Sequence, residues 1–588
     1  GIRLGDRDDL DEVMRVFREH RGVSAIVYDQ ICATEKRRLR RRGARFADEP
    51  VVTIHERICD GCGDCSVQSH CSAVRQVDTI FGSKRRIDES SCNTDLSCMD
   101  GYCPSFVTIE NAEAASRARA VPLPRALLDA LPEPRRAACS PGRPFGIVLA
   151  GVGGSGLVTA GSVLASAALH EGLAVTQLDN TGLARKGGEV TTHLRIAEGQ
   201  RIEGASRIPV GGADLLIAGD LASAASPGVV ARLASGARAV VSNEATPMLE
   251  QALDPDAPLP VAAWRARLER RLGSEAIAIV DAPAIARQAL GDTLYANMIV
   301  IGAAAQRGLL PVSVAAVEHA IRERGISVET NLAAFSWGRL AAAQPQKAAA
   351  MLEDPAAAGR DRIDELADPD AAAAYFAAEL ERYQDRRLAD RYRALVHGVV
   401  RAAQRAGGDE AGLALAVARN AFDALAIKDE YEVARLASDP HYLSQLRQRY
   451  GARARPVFHF APAWLPRRAT RDGRRRKLRF GAWILVVLRV LARMRRLRGS
   501  VLDPFAWQSE RIAQRRFTRL YCQGLERIAA SLDSGRVAAA LEFVRLPEGV
   551  RGYGPVRMPR LQTAMQEAQR LLQDFEPRSA LPTLENER

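Results

Sequence analysis

The sequence predicts a multidomain α/β protein, and three observations predict it. Its 588 residues exceed what one hydrophobic core organises. One short stretch holds most of the cysteines. Beyond it, brief apolar runs alternate with helix-length segments before giving way to long Ala-, Leu-, Glu- and Arg-rich stretches. The expected parts are a small α+β cysteine-rich domain, a doubly wound parallel sheet and a mainly helical C-terminal domain. An apolar fraction of 47% with 26% charged residues fits a folded globular chain.

Residues 1–50 read as the closing unit of an α/β domain: a helix pattern around Leu10 to Phe17, an apolar strand Ser24 to Tyr28, and a basic run from Glu35 to Arg42. The cysteine-rich domain follows at 51–115, and a linker at 116–143 carries Pro122, Pro124, Pro132, Pro134 and Pro141. From 144 to 345, strands are expected at Gly146–Ala150, Leu173–Leu178, Ala213–Ala218, Ala239–Ser242 and Ala276–Val280. Their helix-length spacing implies parallel pairing. Residues 346–588 are expected to be helical.

The net charge of +12 is local rather than general. Between Gly451 and Ser500 stand fourteen Arg, Lys477 and a single acid, Asp472, so the rest of the chain is slightly acidic. The plain reading makes Arg467 to Arg479 a solvated loop and puts Arg489, Arg493 and Arg496 on the polar side of a helix. The functional reading makes the patch a dock for an acidic protein or an anionic cofactor. Nucleic-acid binding is not expected, because no recognition module accompanies the charge. The most apolar segment, Phe480 to Leu488, ends at Arg489, so no membrane span is expected. No leader pattern is recognised, and a cytoplasmic location is the expectation.

Seven of the ten cysteines fall between Cys59 and Cys103, while Cys32, Cys139 and Cys522 stand alone. Such clustering favours metal ligation in a reducing compartment over a disulfide framework. Cys59, Cys62 and Cys65 are spaced to wrap three corners of a cubane, and a remote Cys103 before Pro104 supplies the fourth. This is the two-cluster pattern of a ferredoxin-like domain, and a second [4Fe-4S] cluster takes Cys71, Cys92 and Cys98. The middle position of that second triplet is Asp95. A carboxylate ligates iron more weakly than a thiolate, so the second cluster either has Asp95 on one iron or is a [3Fe-4S] cluster with that corner vacant. The alternative is a zinc-stabilised interaction scaffold, since zinc also uses paired cysteines. His55 and His70 flank the cluster, and a flanking histidine is more often a surface residue or a hydrogen-bond donor than a ligand.

Gly151, Gly153, Gly154 and Gly156 form a strand, GxGxxG, helix fingerprint, with Asp179 at the end of the next strand. Taken alone, these glycines are candidate cofactor-binding residues for an NAD-linked iron-sulfur oxidoreductase, or they simply permit a tight turn.

Gly151 to Ala160, together with Asp179 to Arg195, resembles the gamma subunit or domain of the 2-oxoacid:ferredoxin oxidoreductases, with later landmarks at Asn297 to Gly302, Asn331 to Phe335 and Gly338-Arg339. The order of the parts, Val23 to Cys32, and the tail segments Ile427 to Arg435, Phe458 to Pro462, Leu497 to Pro504 and Val550 to Gly554 are similar to the fused bacterial indolepyruvate ferredoxin oxidoreductases. The resemblance implies oxidative decarboxylation of an aryl pyruvate to an acyl-coenzyme A, with thiamine diphosphate, magnesium and coenzyme A in the complete enzyme and ferredoxin as acceptor. It implies no acid-base catalyst here and no nicotinamide in the gamma domain. A thiamine signature is not found, Gly5-Asp6-Arg7 being a poor substitute. The carbon chemistry is therefore expected on an upstream portion or a partner subunit, in a homo- or hetero-oligomer.

Overall fold

The computed structural model describes residues 4–6, 9–29, 31, 35, 36, 39, 50–71, 73–89, 92–112, 123–139, 143–181, 188–199, 201–246, 257, 259–352, 366, 368–407, 410–461 and 477–575. Cys32, most of the basic run after Glu35, Pro122 and Pro141, Gly182 to Gly187, and Arg467 to Arg476 lie outside the described residues. The chain divides into two units, Gly1–Ala47 and Asp48–Arg588.

In the first unit the expected helix forms at Leu10–Glu19. The expected strand at Ser24 to Tyr28 does not: these residues are exposed and join no sheet. A strand is held by its neighbour's backbone groups, and apolar composition alone does not supply one.

In the second unit the cysteine-rich chain begins and ends as paired strands. β1 (Val51–Ile54) runs antiparallel to β4 (Phe106–Glu110) in a register that sets Val51 opposite Ile109. Between them, β2 (Val74–Thr79) and β3 (Gly82–Ile87) form a two-stranded hairpin. The six-stranded sheet uses β5 (Phe145–Val152), β6 (Ala174–Thr181), β7 (Glu189–Ala197), β8 (Ala213–Ala218), β9 (Leu233–Ser242) and β10 (Ile277–Val280), in the order β10-β9-β8-β5-β7-β6.

Four strands of this sheet pair in parallel as expected, but β7 is antiparallel to both β5 and β6, so the sheet is mixed rather than wholly parallel. β7 carries Val190, Leu194 and Ile196 into the core, together with buried Thr191, Thr192 and His193. That polar content masked the strand in the sequence. Behind the sheet, the helix Ala296–Gln306 is buried on every side, as its uniformly small and apolar sequence requires. The helix Val328–Ala343 crosses it almost backbone to backbone: a Cβ on Gly302 would stand 2.0 Å from the Phe335 carbonyl oxygen, and one on Gly338 would stand 1.9 Å from that of Ile299.

The C-terminal portion is mainly helical, with a core that includes Phe376, Tyr392, Phe517, Tyr521 and Phe543. It also contributes two strands that composition did not suggest. β11 (Arg455–Phe460) pairs with β4, and β12 (Leu478–Phe480) pairs with β11, giving an antiparallel sheet β1-β4-β11-β12. The open edge of β4 is thereby covered. In the other direction, Ile80 and Phe81 at the tip of the β2-β3 hairpin enter the helical core, where Phe81 lies 6.2 Å from Phe376 and 5.8 Å from Phe422 between ring centres.

Gly338→Ala should force the two crossing helices apart and cost about 1–3 kcal/mol or more, seen as a lower midpoint in urea unfolding. An unchanged midpoint would mean that the crossing is looser than these distances.

Candidate metal centre

Two cysteine loops share one backbone path. In Cys59-Asp60-Gly61-Cys62-Gly63-Asp64-Cys65 the second and fourth positions after the first cysteine have left-handed backbones, φ +70° at Gly61 and +74° at Gly63. In Cys92-Asn93-Thr94-Asp95-Leu96-Ser97-Cys98 the same positions are Thr94 at +57° and Leu96 at +66°. Glycine adopts this conformation freely, but Thr and Leu pay a steric cost and hold it only where surrounding bonds fix the turn. Those bonds repeat as well. Gly61 N–H donates to Cys59 Sγ and Thr94 N–H to Cys92 Sγ, both at 3.4 Å. Cys62 is bonded by the backbone N–H of Asp64, and Asp95 Oδ1 accepts from the N–H of Ser97 at 3.2 Å. Asp95 therefore stands where the first loop has Cys62.

The structure sorts the side chains into two sets. The Cys103 charge acts on Cys59, Cys62 and Cys65, whereas Cys98 feels Cys71, Cys92 and Asp95. Burial pushes the Cys62 thiol up to about 12 and raises Cys59, Cys65 and Cys98 as well, with neighbouring thiol charges adding to the effect. Cys59 Sγ accepts a further N–H bond from Arg85 at 3.3 Å, and Cys103 Sγ lies 3.0 Å from the Ser105 hydroxyl. Gly101 lets the Cys103 loop close on Cys65, whose Cα would be 2.8 Å from an added Cβ, and Asp64 Oδ2 accepts from Tyr102 N–H at 2.6 Å. Sulfurs in two sets, with Cys59, Cys65 and Cys98 buried and the other four partly exposed, and with N–H donors to Cys59 and Cys92, suit an iron-sulfur cluster, whose iron core supplies the compensating positive charge. Among the described residues no three His, Cys, Asp or Glu side chains are placed to hold a single metal ion.

The C-terminal portion encloses the first loop. The carboxylate of Asp60, between the first two cysteines, accepts from Lys428 Nζ at 2.9 Å, Arg557 at 2.8 Å and Gly552 N–H at 2.7 Å. Burial alone would raise its pKa, but Lys428, Arg557 and Lys84 outweigh burial and hold it well below the usual carboxylate range. Lys428 also donates to the Cys59 carbonyl at 2.8 Å, and Tyr553 to that of Ile58 at 2.6 Å. Gly552 and Gly554 lie against the loop: an added Cβ would meet Cys62 at 3.4 Å and Tyr102 at 2.5 Å. Lys84 is buried beside these groups, and burial brings its pKa down to about 8.

The flanking histidines separate. His70 is exposed, whereas His55 is buried, lies with its ring centre 3.9 Å from that of Tyr442 at a 36° tilt and donates from Nε2 to the Leu436 carbonyl at 3.1 Å.

At the glycine-rich turn the protein satisfies its own backbone. Gly153 N–H donates to the Gly188 carbonyl at 2.8 Å, and Asn297 Nδ2 donates to the Ser155 carbonyl at 2.8 Å. Gly154 and Gly156 have φ of +87° and +86°, and Gly151 packs against Leu157. The antiparallel β7 separates β6 from β5, and Asp179 Oδ1 accepts from Thr192 Oγ1 at 2.5 Å. The dinucleotide geometry sought in this turn therefore finds no support, since that geometry pairs the two strands directly.

Residues 146–341 match the family model described as pyruvate ferredoxin/flavodoxin oxidoreductase, and residues 369–570 match a family of unknown function (DUF6537). The indolepyruvate oxidoreductase subunit IorB of Archaeoglobus fulgidus is 32% identical over 199 residues, which are 33% of this chain and 92% of that protein. The chain belongs to the indolepyruvate ferredoxin oxidoreductase family. The IorB subunit of Methanothermobacter thermautotrophicus is 29% identical over 34% of this chain and 98% of its own length. The pyruvate oxidoreductase subunit PORC of Thermotoga maritima, a crystal structure, is 24% identical over 34% of this chain and 96% of its own, with a TM-score of 0.25. Membership of this family makes the chain part of an oxidoreductase whose relatives are subunits of larger assemblies. No helix among the described residues is long and apolar enough to cross a membrane.

Asp60→Asn should leave Lys428 and Arg557 buried without their counter-charge and cost about 3–5 kcal/mol, read as a lower unfolding midpoint at pH 7. Burial lowers both His55 and His459 from 6.5 to about 4, so the folded state keeps them neutral. The unfolded chain takes up these protons first, so stability should be intact above about pH 6.5 and fall as pH drops toward about 4. Unfolding midpoints between those values should decline less steeply in His55→Gln than in the parent, and equal slopes would show that His55 does not contribute.

Proposed function

We propose that this chain is the iron-sulfur electron-relay and scaffold portion of a thiamine-dependent aryl pyruvate:ferredoxin oxidoreductase of the indolepyruvate type. The observation that carries the reading is the repeated loop: two cysteine segments with left-handed backbone at matching positions and N–H to sulfur bonds at matching distances. Zinc sites use two paired-cysteine knuckles, whereas three ligands spaced two residues apart with a remote cysteine before proline are the spacing of a cubane.

In this reading Cys59, Cys62, Cys65 and Cys103 hold one [4Fe-4S] cluster, and Cys71, Cys92, Cys98 and Asp95 hold the second. Each cluster, when bound, accepts and passes on one electron at a time. Gly61, Arg85 and Thr94 N–H groups withdraw charge from the sulfurs they contact, which favours the reduced state. Cys59, Cys65 and Cys98 are buried, which limits water at the sulfurs. Asp95 is exposed, so its corner is the exchangeable one. Thiamine diphosphate with magnesium, coenzyme A and the aryl pyruvate would act on an upstream portion or partner subunit against which the gamma domain packs, and ferredoxin would receive the electrons.

Anaerobic purification with iron and sulfide analysis tests the assignment: about eight irons per chain are expected with equimolar sulfide, and stoichiometric zinc without sulfide would overturn it. Asp95→Ala should give a three-iron electron paramagnetic resonance signal in the oxidised protein. Asp95→Cys should remove any such signal and resist iron loss. No change in either variant would exclude Asp95 as a ligand.

A further inference from the structure

The matched family of unknown function spans residues 369–570, and its role in the chain is unassigned. One of its residues occupies a singular position. Lys477 immediately precedes β12, the outer strand of the sheet that β1 and β4 share with β11, and its Nζ donates to the Met99 carbonyl at 2.8 Å. The ammonium rests over the face of buried Phe106, 4.7 Å from the ring centre. Burial lowers the Lys477 pKa, and the charges of Cys103 and Cys65 of the first set, Cys98 of the second and Asp100 act against that to hold the ammonium form. Among the other cations near the loops, Lys84 acts on Cys59 and Arg85 on Cys65, both in the first set, while Lys428 and Arg557 are held by Asp60.

On the iron-sulfur reading above, we propose that Lys477 is a positioning residue for electron transfer: a cation that the C-terminal portion places between the two cluster sites and that raises the reduction potential of both. The physical basis is that each reduction adds one negative charge to a partly desolvated site. A cation held nearby stabilises the reduced form more than the oxidised one. Phe106 and the Met99 carbonyl keep the ammonium in place and shield it from water, so its effect is not screened as a surface charge would be. Because the same cation acts on sulfurs of both sets, it lowers the energy of an electron on either side.

The test is a redox titration of the anaerobically purified full chain, followed by electron paramagnetic resonance. Lys477→Met keeps the length and packing of the side chain and removes the charge. It is expected to lower both cluster potentials together, by about a tenfold change in each reduction equilibrium, which is 59 mV for a one-electron couple. Lys477→Arg keeps the charge and should titrate near the parent. Arg479→Gln, two residues on and within β12, is an exposed ion-pair partner of Glu110 and should leave both potentials unmoved. Full iron and sulfide with unchanged potentials in Lys477→Met would overturn the proposal. So would an equal drop in Lys477→Arg, because the charge would then not be the cause. If the methionine variant fails to hold clusters, the arginine variant decides alone, by matching the parent or by falling below it. Absence of iron and sulfide from the parent protein would instead defeat the functional reading on which this inference stands.

Discussion

The largely enclosed carboxylate of Asp60 is the constraint on which the cysteine-rich region depends. It lies in the chain between two cysteines, yet its partners Lys428, Arg557 and Gly552 all come from the C-terminal portion. Taking such charges out of water is costly, and only near-complete pairing offsets the cost. The loop and the helices therefore adopt their positions together. Once Asp60 is fixed, Gly61 and Gly63 have their turn, Cys59 has its N–H donors and Tyr553 closes on Ile58. Gly61 further allows β3 to approach, since a side chain there would collide with the Ser83 carbonyl at 2.1 Å.

Three other contacts reinforce that arrangement. β11 and β12 extend the sheet of β1 and β4, the Ile80-Phe81 tip fills a gap in the helical core, and His55 reaches the end of the helix Glu430–Ala437. Arg498 is bidentate to Asp429 and lies 3.8 Å over Tyr383, which stiffens the neighbouring segment. Part of the arginine-rich stretch is thus internal framework. Arg489, Arg493 and Arg496 do face solvent, as their helical spacing suggested, but they share the surface of the helix Ile484–Arg493 with exposed Val486, Val487 and Val490.

Much of the fold was legible in the sequence because its signals are local. Five strands of the larger sheet and the helix after the glycine turn follow from short apolar runs and their spacing. β7 was not legible because its buried face includes Thr192 and His193, and β11 was not because its partner β4 is hundreds of residues away, while β12 pairs only with β11. The cysteine set was visible from spacing, and so was the anomaly at Asp95. The cations around the cysteines were hidden for another reason: Lys428 and Gly552 lie in segments marked by resemblance, but Arg557 and Lys477 are two basic residues among 82. Only folding distinguishes them from solvated charge. Ser24 to Tyr28 shows the converse, an apolar run whose pattern suggests a strand but which pairs with no strand among the described residues.

The Arg557–Asp60 bond joins residues 497 positions apart, and this has a consequence for biosynthesis. Synthesis runs from the N-terminus at about 5–20 residues per second, so the cysteine loops leave the ribosome tens of seconds before the residues that enclose them. During that interval the thiols are open to oxidants and stray metals. The hairpin tip also presents Ile80 and Phe81 to solvent until its helical receptor exists. On the iron-sulfur reading proposed above, cluster loading has an early window of access before the C-terminal helices enclose the first loop.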